Sequence, residues 1–254
     1  MKLYFLGTGT SQGIPVIGSN HSVCKSNDVK DKRLRVSAWV TWGNYSYVID
    51  CGPDFRQQML TSGCVKLDGI LFTHEHADHT AGLDDIRPFY FKQGNIPIYG
   101  LSRVIQSLKK RFDYIFETDN KYPGAPGVST HIVDESTFFE LGGIVVTPIR
   151  VEHGSLSILG YRLGDLVYLT DVKNIIPSEL VKLKNVKVLV INALRNEPHE
   201  SHLNLQEALQ LITTISPERT YLTHISHLLG FHEEVQRTLP SNVFLAYDNL
   251  EITI

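Results

Sequence analysis

The 254-residue chain is poor in cysteine, with three in all: Cys24, Cys51 and Cys64. A small odd number without a secretion signal argues against a disulfide framework. No apolar stretch approaches the roughly 20 residues needed to span a bilayer. The opening Met1-Lys2-Leu3-Tyr4-Phe5-Leu6-Gly7 is too short an apolar run for a signal peptide. Positive charge is not in excess: 24 Lys and Arg stand against 27 Asp and Glu, for a formal net charge of −3. The overall balance therefore does not draw the chain to long nucleic acid. Heptads, solenoid repeats, low-complexity tracts and a Pro/Gly/Ser linker are missing as well. These absences leave a soluble, cytoplasmic protein with no membrane partner, expected as one domain over residues 1–254.

What is present is an ordinary globular composition, 42% hydrophobic and 20% charged, which is enough to bury a core. Strand and helix signals alternate. Lys2–Leu6 reads as a strand running into Gly7-Thr8-Gly9-Thr10-Ser11-Gln12-Gly13. Val36–Thr41 and Tyr45–Ile49 read as a pair joined at Gly43-Asn44. Pro53 opens a short helix that Gly63 closes. The periodicity of Leu108, Phe112, Ile115 and Phe116 predicts one helix over Ser102–Phe116, and Tyr122–Gly127 is a loop. Asn204-Leu205-Gln206-Glu207 has the pattern of a capping box before Ala208, Leu211 and Ile212.

The 11 histidines carry the functional signal. The apolar run Ile70-Leu71-Phe72-Thr73 is followed at once by His74. Ile144–Val151 leads to His153, Val167–Thr170 ends at Asp171, and Tyr221-Leu222-Thr223 ends at His224. Four strands thus place metal-capable side chains at their ends, where a rigid sheet can fix a site. His74, His76, Asp78, His79, His153, Asp171 and His224 form a mixed imidazole and carboxylate set suited to Zn, Mn or Fe. Seven donors exceed one tetrahedral ion and suit two divalent transition metals sharing Asp171, with a solvent oxygen between them. The pattern is not that of a zincin, because the fourth residue after His74 is Asp78. Strand-like alternation lets His74 and His76 face one way while Glu75 faces another.

His74-x-His76-x-Asp78-His79, followed by His153, Asp171 and His224 in that order, resembles the signature of the metallo-β-lactamase superfamily. Tyr47-Val48-Ile49-Asp50-Cys51-Gly52 resembles the strand ending in the Asp that supports its metal site. The resemblance implies a four-layer αβ/βα sandwich, two mixed β-sheets with helices outside. Gly7-Thr8-Gly9-Thr10-Ser11, Gly82–Pro88 and Tyr122-Pro123-Gly124 resemble the phosphoribosyl cyclic phosphodiesterases of the carbon–phosphorus lyase pathway, relatives of the tRNA 3′-processing endonucleases. By that resemblance His74, His76, His153 and Asp171 hold one metal, and Asp78, His79, Asp171 and His224 hold the other. His202 matches the catalytic acid, with His199 its rival by proximity, and Asp78 is read as catalytic as well as ligating. Relatives also carry a structural zinc on a Cys-x-Cys-x-x-Cys loop and a late His. Here Ser19, His21 and Cys24, with His227, stand in those places, leaving three ligands for a Zn that usually takes four.

The expected activity is metal-dependent cleavage of a small, possibly cyclic phosphodiester by a homodimer. A tRNA 3′-processing endonuclease and an acyl or thioester hydrolase are the alternatives on the same fold. Arg33 and Arg35 are read as phosphate contacts or a solvated face, and Arg87 as a phosphate contact or a partner of Asp84 or Asp85. His131 and His232 are read as ordinary surface or core residues, and Cys51, Cys64, Trp39 and Trp42 as packing residues.

Overall fold

The computed structural model describes residues 1–119 and 121–254. The first half contributes strands β1 (Lys2–Gly7), β2 (Ser37–Trp42), β3 (Tyr45–Ile49), β4 (Gly69–Leu71), β5 (Ile96–Gly100) and β6 (Val128–Ile132). The second contributes β7 (Phe139–Leu141), β8 (Ile144–His153), β9 (Leu156–Leu163), β10 (Leu166–Tyr168), β11 (Val188–Asn192), β12 (Arg219–Thr223), β13 (Val243–Leu245) and β14 (Glu251–Thr253). Two seven-stranded sheets result, ordered β14-β1-β2-β3-β4-β5-β6 and β13-β12-β11-β10-β9-β8-β7. Both are mixed in the same way. Pairings are antiparallel from β14 to β3 and parallel from β3 to β6; they are antiparallel from β7 to β10 and parallel from β10 to β13.

Period-two alternation explains the layers. In β3, Tyr47 and Ile49 enter the core between the sheets, while Val48 joins a second core under the helices α1 (Phe55–Ser62), α3 (Arg87–Gln93), α4 (Ser102–Arg111) and α5 (Asp113–Phe116); the short α2 (Ala77–Thr80) lies between α1 and α3 in the chain. In β11, Val188 and Val190 face the first sheet, while Leu189 and Ile191 meet the outer layer that includes α6 (Pro177–Leu180), α7 (Leu205–Ile215) and α8 (His232–Gln236). The architecture is the expected sandwich of two mixed sheets with helices outside.

One helix expectation needs correction. The run 102–116 is broken at Phe112, whose φ of −128° and ψ of 44° leave the helix. Lys109, Lys110 and Arg111 suit a helix C-terminus, and the Asp113 carboxylate accepts from the Tyr114 N–H at 2.7 Å, starting a new turn. The capping box at α7 is present in both halves: Asn204 accepts from Glu207 N–H, and Glu207 accepts from Asn204 N–H. Among the described residues no helix is long and apolar enough to cross a membrane.

Candidate metal centre

Beyond β4, Phe72 and Thr73 carry the chain to His74, and α2 begins just past His76. His74 and His79 are buried, Asp78 is half-buried and His76 is exposed. Glu75 turns the other way, as alternation requires, and accepts from Arg103 Nε at 3.1 and 3.3 Å. Arg111 donates to the Glu75 carbonyl at 3.1 Å and to the Thr80 hydroxyl. Both arginines stand on α4, so that helix clamps the ligand loop from outside.

Asp50 forms the floor. It is wholly buried, with φ of 61° just past β3, and a left-handed Asp at a strand end is a strained position. Its carboxylate accepts from Thr73 N–H and Thr73 Oγ1, each at 2.8 Å, and from His79 Nδ1 at 2.7 Å. Thr73 Oγ1 in turn lies 3.0 Å from His74 Nδ1. One carboxylate thus sets two imidazoles with their Nε2 lone pairs turned inward. Gly52 lets α2 sit directly on this strand end: a Cβ there would stand 2.0 Å from the Asp78 carbonyl oxygen.

The second sheet supplies the remaining donors. His153 is the last residue of β8 rather than one beyond it, and its Nδ1 donates to the Ser201 carbonyl at 2.8 Å. Asp171 (φ 57°) and His224 (φ 53°) also take the left-handed conformation where β10 and β12 give out. Asp171 accepts from Thr170 Oγ1 at 2.6 Å.

These seven side chains converge. The donor triples His74/His76/His153, His74/His79/Asp171 and Asp78/His79/His224 each gather within 4.8 Å, as does His153/Asp171/His202. His79 Nε2 is 3.3 Å from both Asp78 Oδ2 and Asp171 Oδ2, and His224 Nε2 is 3.2 Å from Asp171 Oδ1. Yet His79 Nε2 and both ring nitrogens of His224 are buried with no hydrogen-bond partner. Metal–ligand bonds of about 2.0–2.2 Å place neighbouring donors on a tetrahedral ion roughly 3.3–3.6 Å apart. Buried, orphaned nitrogens at that spacing from carboxylate oxygens fit a cation between them.

Electrostatics point the same way. Burial alone would raise Asp171, but His224, His79, His202 and His74 hold it well below the ordinary carboxylate range. Burial would lower His79, yet Asp171, Asp50 and Asp78 hold it well above the usual imidazole value. His74, with less carboxylate nearby, is pushed well down by burial and by His79. Concentrated negative charge that has to recruit protons onto imidazoles is the condition a divalent cation relieves.

Residues 45–225 match the family described as the β-lactamase superfamily domain. The chain belongs to the metallo-β-lactamase superfamily. A crystal structure of a diphosphatase from the PhnP family is 38% identical, with a TM-score of 0.93, covering 100% of this chain and 97% of that one. An octanoyltransferase of Porphyromonas gingivalis is 39% identical over 256 residues, covering 100% of this chain and 52% of its own length. A ribonuclease Z of Bacillus licheniformis is 29% identical over 187 residues, covering 72% of this chain and 53% of that protein. The chain spans about half the length of these curated relatives.

The remaining site expectations fare differently within this superfamily fold. His202 lies in the site: its Nε2 is 3.0 Å from Asp171 Oδ1, and its ring stacks on His224 at 4.9 Å. His199 contacts Ser201 and the far side of His202 instead. The residues standing in the structural-zinc positions are not gathered into a site. His21 and His227 rings come within 5.0 Å, but among the described residues Ser19, His21, Cys24 and His227 supply no three-donor cluster. His21 Nδ1 accepts from Val23 N–H at 3.3 Å and Ser19 Oγ from His21 N–H at 3.2 Å, so these groups close their own turn. Cys24 packs with Ile14, Val23, Val16 and Phe231.

Arg33 is neither a phosphate contact nor a solvated face. It is buried and donates to Thr8 Oγ1 and the Ala246 carbonyl. Arg35 pairs with Asp54, and Arg87 with Asp84. The residues that pattern reading misses are Thr73, Arg103 and Arg111, none of which lies in a ligand-like spacing.

Proposed function

We propose that the chain is a metal-dependent hydrolase of small phosphodiesters or diphosphates, holding two divalent cations. The observation that carries this is the convergence of seven donors from two sheets, with His202 hydrogen-bonded to the donor they share. Asp50, Asp78 and Asp171 bring three carboxylates to one cluster; one divalent ion leaves that charge uncompensated, while two offset it and leave positive charge for an anionic substrate. When bound, such cations neutralise phosphoryl oxygens and lower the pKa of an attacking water.

The chain's own groups do the rest. His153 and His79 are fixed through Nδ1 by Ser201 and Asp50, which leaves Nε2 of each for coordination. By the resemblance His74, His76, His153 and Asp171 hold one ion, and Asp78, His79, Asp171 and His224 the other. Asp78 serves by ligating, its carboxylate held ionised by His79 and His224. His202 is placed to pass a proton from Nε2 to the leaving alkoxide, a role worth about 10²–10⁴ in rate; burial pushes its imidazole down to about 4, and the contact of Nε2 with Asp171 Oδ1 opposes that fall. Ser201 Oγ and His199 Nδ1, 3.0 and 3.2 Å from His202 Nδ1, hold the ring from behind. His199 has no such contact with the ligands, which favours His202 as the donor.

A cavity of about 710 Å³, with His76 and His153 in its lining, is of the size small ligands occupy. That size and the net charge of −3 support a small substrate over a folded RNA. The diphosphatase named among the similar structures acts in the same chemical class. The octanoyltransferase is about twice as long, and an acyl-accepting thiol at this cavity finds no candidate, because Cys24, Cys51 and Cys64 are all buried. The reading extends to one domain, a homodimer and a cytoplasmic setting.

The test is a panel of bis-p-nitrophenyl phosphate, cyclic ribose phosphates, a dinucleoside diphosphate and a thioester, with Mn²⁺, Zn²⁺ or EDTA. Metal-dependent turnover of a phosphate substrate is expected, and thioester cleavage exceeding it overturns the reading. His202→Ala should retain its metal and lose about 10²–10⁴ in kcat. A loss under about tenfold at full metal content removes His202 from the mechanism.

A further inference from the structure

The cavity beside the metal centre has a second wall, formed by residues 195–201. Among the described residues that line the cavity, Arg195 is the one Lys or Arg. It makes no ion pair with any carboxylate among the described residues, unlike Arg103, Arg150 and Lys173 nearby. Its guanidinium is nevertheless held. Nε donates to the Glu197 carbonyl at 3.2 Å and Nη2 to the Pro198 carbonyl at 2.8 Å. Its own carbonyl accepts from Leu205 N–H at 2.9 Å, which ties it to the start of α7. Nη1 has no protein partner among the described residues. His199 stands on the same wall, with Nδ1 turned to Ser201 and His202 and Nε2 likewise unpartnered.

We propose that Arg195, with His199 beside it, is a second anion subsite, which binds the phosphoryl group one bridge beyond the one held at the metals and so selects diphosphates over simple diesters. This rests on reading the site as a phosphate-ester hydrolase. A guanidinium already fixed by two backbone carbonyls loses little freedom on binding, and its planar fork matches phosphate oxygens. A cation that no carboxylate neutralises is left to a ligand anion. Glu200 lines the same wall and is exposed. Its negative charge opposes an anion there, and that gives the subsite a built-in test of sign.

The experiment uses the metal-loaded protein and titrates methylenebisphosphonate against methylphosphonate by calorimetry. Arg195→Met should weaken the bisphosphonate relative to the monophosphonate by about tenfold or more, the loss expected when one charged hydrogen-bonding partner is removed. Glu200→Gln should shift the same ratio the other way. In kinetics, Arg195→Met should lower kcat/KM for a dinucleoside diphosphate relative to bis-p-nitrophenyl phosphate by a similar factor, mainly through KM. Equal losses on both substrates, or both variants moving the ratio in one direction, would show that the wall is merely structural and overturn the subsite. If the wild type hydrolyses neither substrate, the hydrolase reading fails, while the phosphonate titration still decides the subsite.

Discussion

Asp50 has no place in any of the donor triples, yet it accepts three hydrogen bonds in a wholly buried position and aims two ligands through Thr73 and His79. Groups that orient a ligand in this way typically govern metal affinity by about 10–100-fold. Asp50→Asn, which keeps shape but loses charge and an acceptor, should weaken metal binding by that factor with the far-ultraviolet spectrum intact. Chelator competition measures it, and an affinity within about threefold of wild type would show that Thr73 and the backbone alone set the imidazoles. A second buried carboxylate acts through its proton. Asp248 accepts from Thr8 Oγ1 and Leu34 N–H at 2.7 Å each, and burial raises it from 3.8 to about 6 despite Arg33 nearby. Its contribution to stability is therefore present below pH 4 and lost as pH rises through about 6. His232, against Arg33 Nη2, is pushed by burial from 6.5 down to about 4, so its contribution is present above 6.5 and lost as pH falls through 4. The two oppose each other in the same window. Asp248→Asn leaves His232 unopposed, so the gap in melting temperature in favour of the wild type should widen as pH falls from about 6.5 to about 4. A gap that stays constant across the window defeats this reading.

At the scale of elements, legibility followed chemistry more closely than geometry. The ligand cluster was readable because His74, His76, Asp78 and His79 are packed into six residues and the other donors close apolar runs. The clamp on Glu75 was not, because Arg103 and Arg111 lie 28 and 36 positions away on a helix whose arginines read in sequence like any solvated face. Strand β5 was hidden for a different reason: it pairs on both sides yet contains Pro97, which as a pattern argues against a central strand. Position in a motif does not by itself gather donors: His21 Nδ1 accepts from Val23 N–H, and the His21 and His227 rings approach within 5.0 Å without a third donor joining them among the described residues. Helix α7 joins the two kinds of information. Its capping box is visible in sequence, and in space it anchors the segment 194–205 that carries Arg195, His199 and His202. Leu203 N–H donates to Val172 carbonyl at 2.7 Å and Leu194 N–H to Leu203 carbonyl at 3.0 Å, so this segment is laid against the Asp171 strand end. Asn204→Ala removes the cap and should cost about 1 kcal/mol of stability. Because His202 lies two residues upstream, kcat should fall more than metal content does. A loss of stability with unchanged turnover would show that the segment is held by its backbone bonds alone.

Across the whole molecule, the donors divide by sheet: His74, His76, Asp78 and His79 follow β4 of the first, while His153 ends β8 of the second and Asp171 and His224 follow its β10 and β12. Between the sheets lies one continuous apolar core, in which Ile49 and Leu71 share a cluster with Tyr168 and Tyr221. Cations held at the rim would therefore cross-link two layers that the core already joins, and would relieve the repulsion among the buried carboxylates of the site. Binding to the folded state alone stabilises it by about 2.7 kcal/mol when free metal is 100 times its dissociation constant. For a domain of this size that corresponds to a rise in Tm of roughly 5–10 °C. Scanning calorimetry with Mn²⁺ or Zn²⁺ against EDTA should show that rise in a single transition, since both sheets are anchored to the same core. Asp171→Asn, which removes charge at the shared donor, should abolish most of the difference between the metal and EDTA scans, and it should also lower the EDTA transition because the buried imidazoles lose their carboxylate partner. Two separated transitions would mean that the sheets unfold independently and that the cations bridge nothing. An unshifted transition would mean that the donors converge without holding metal.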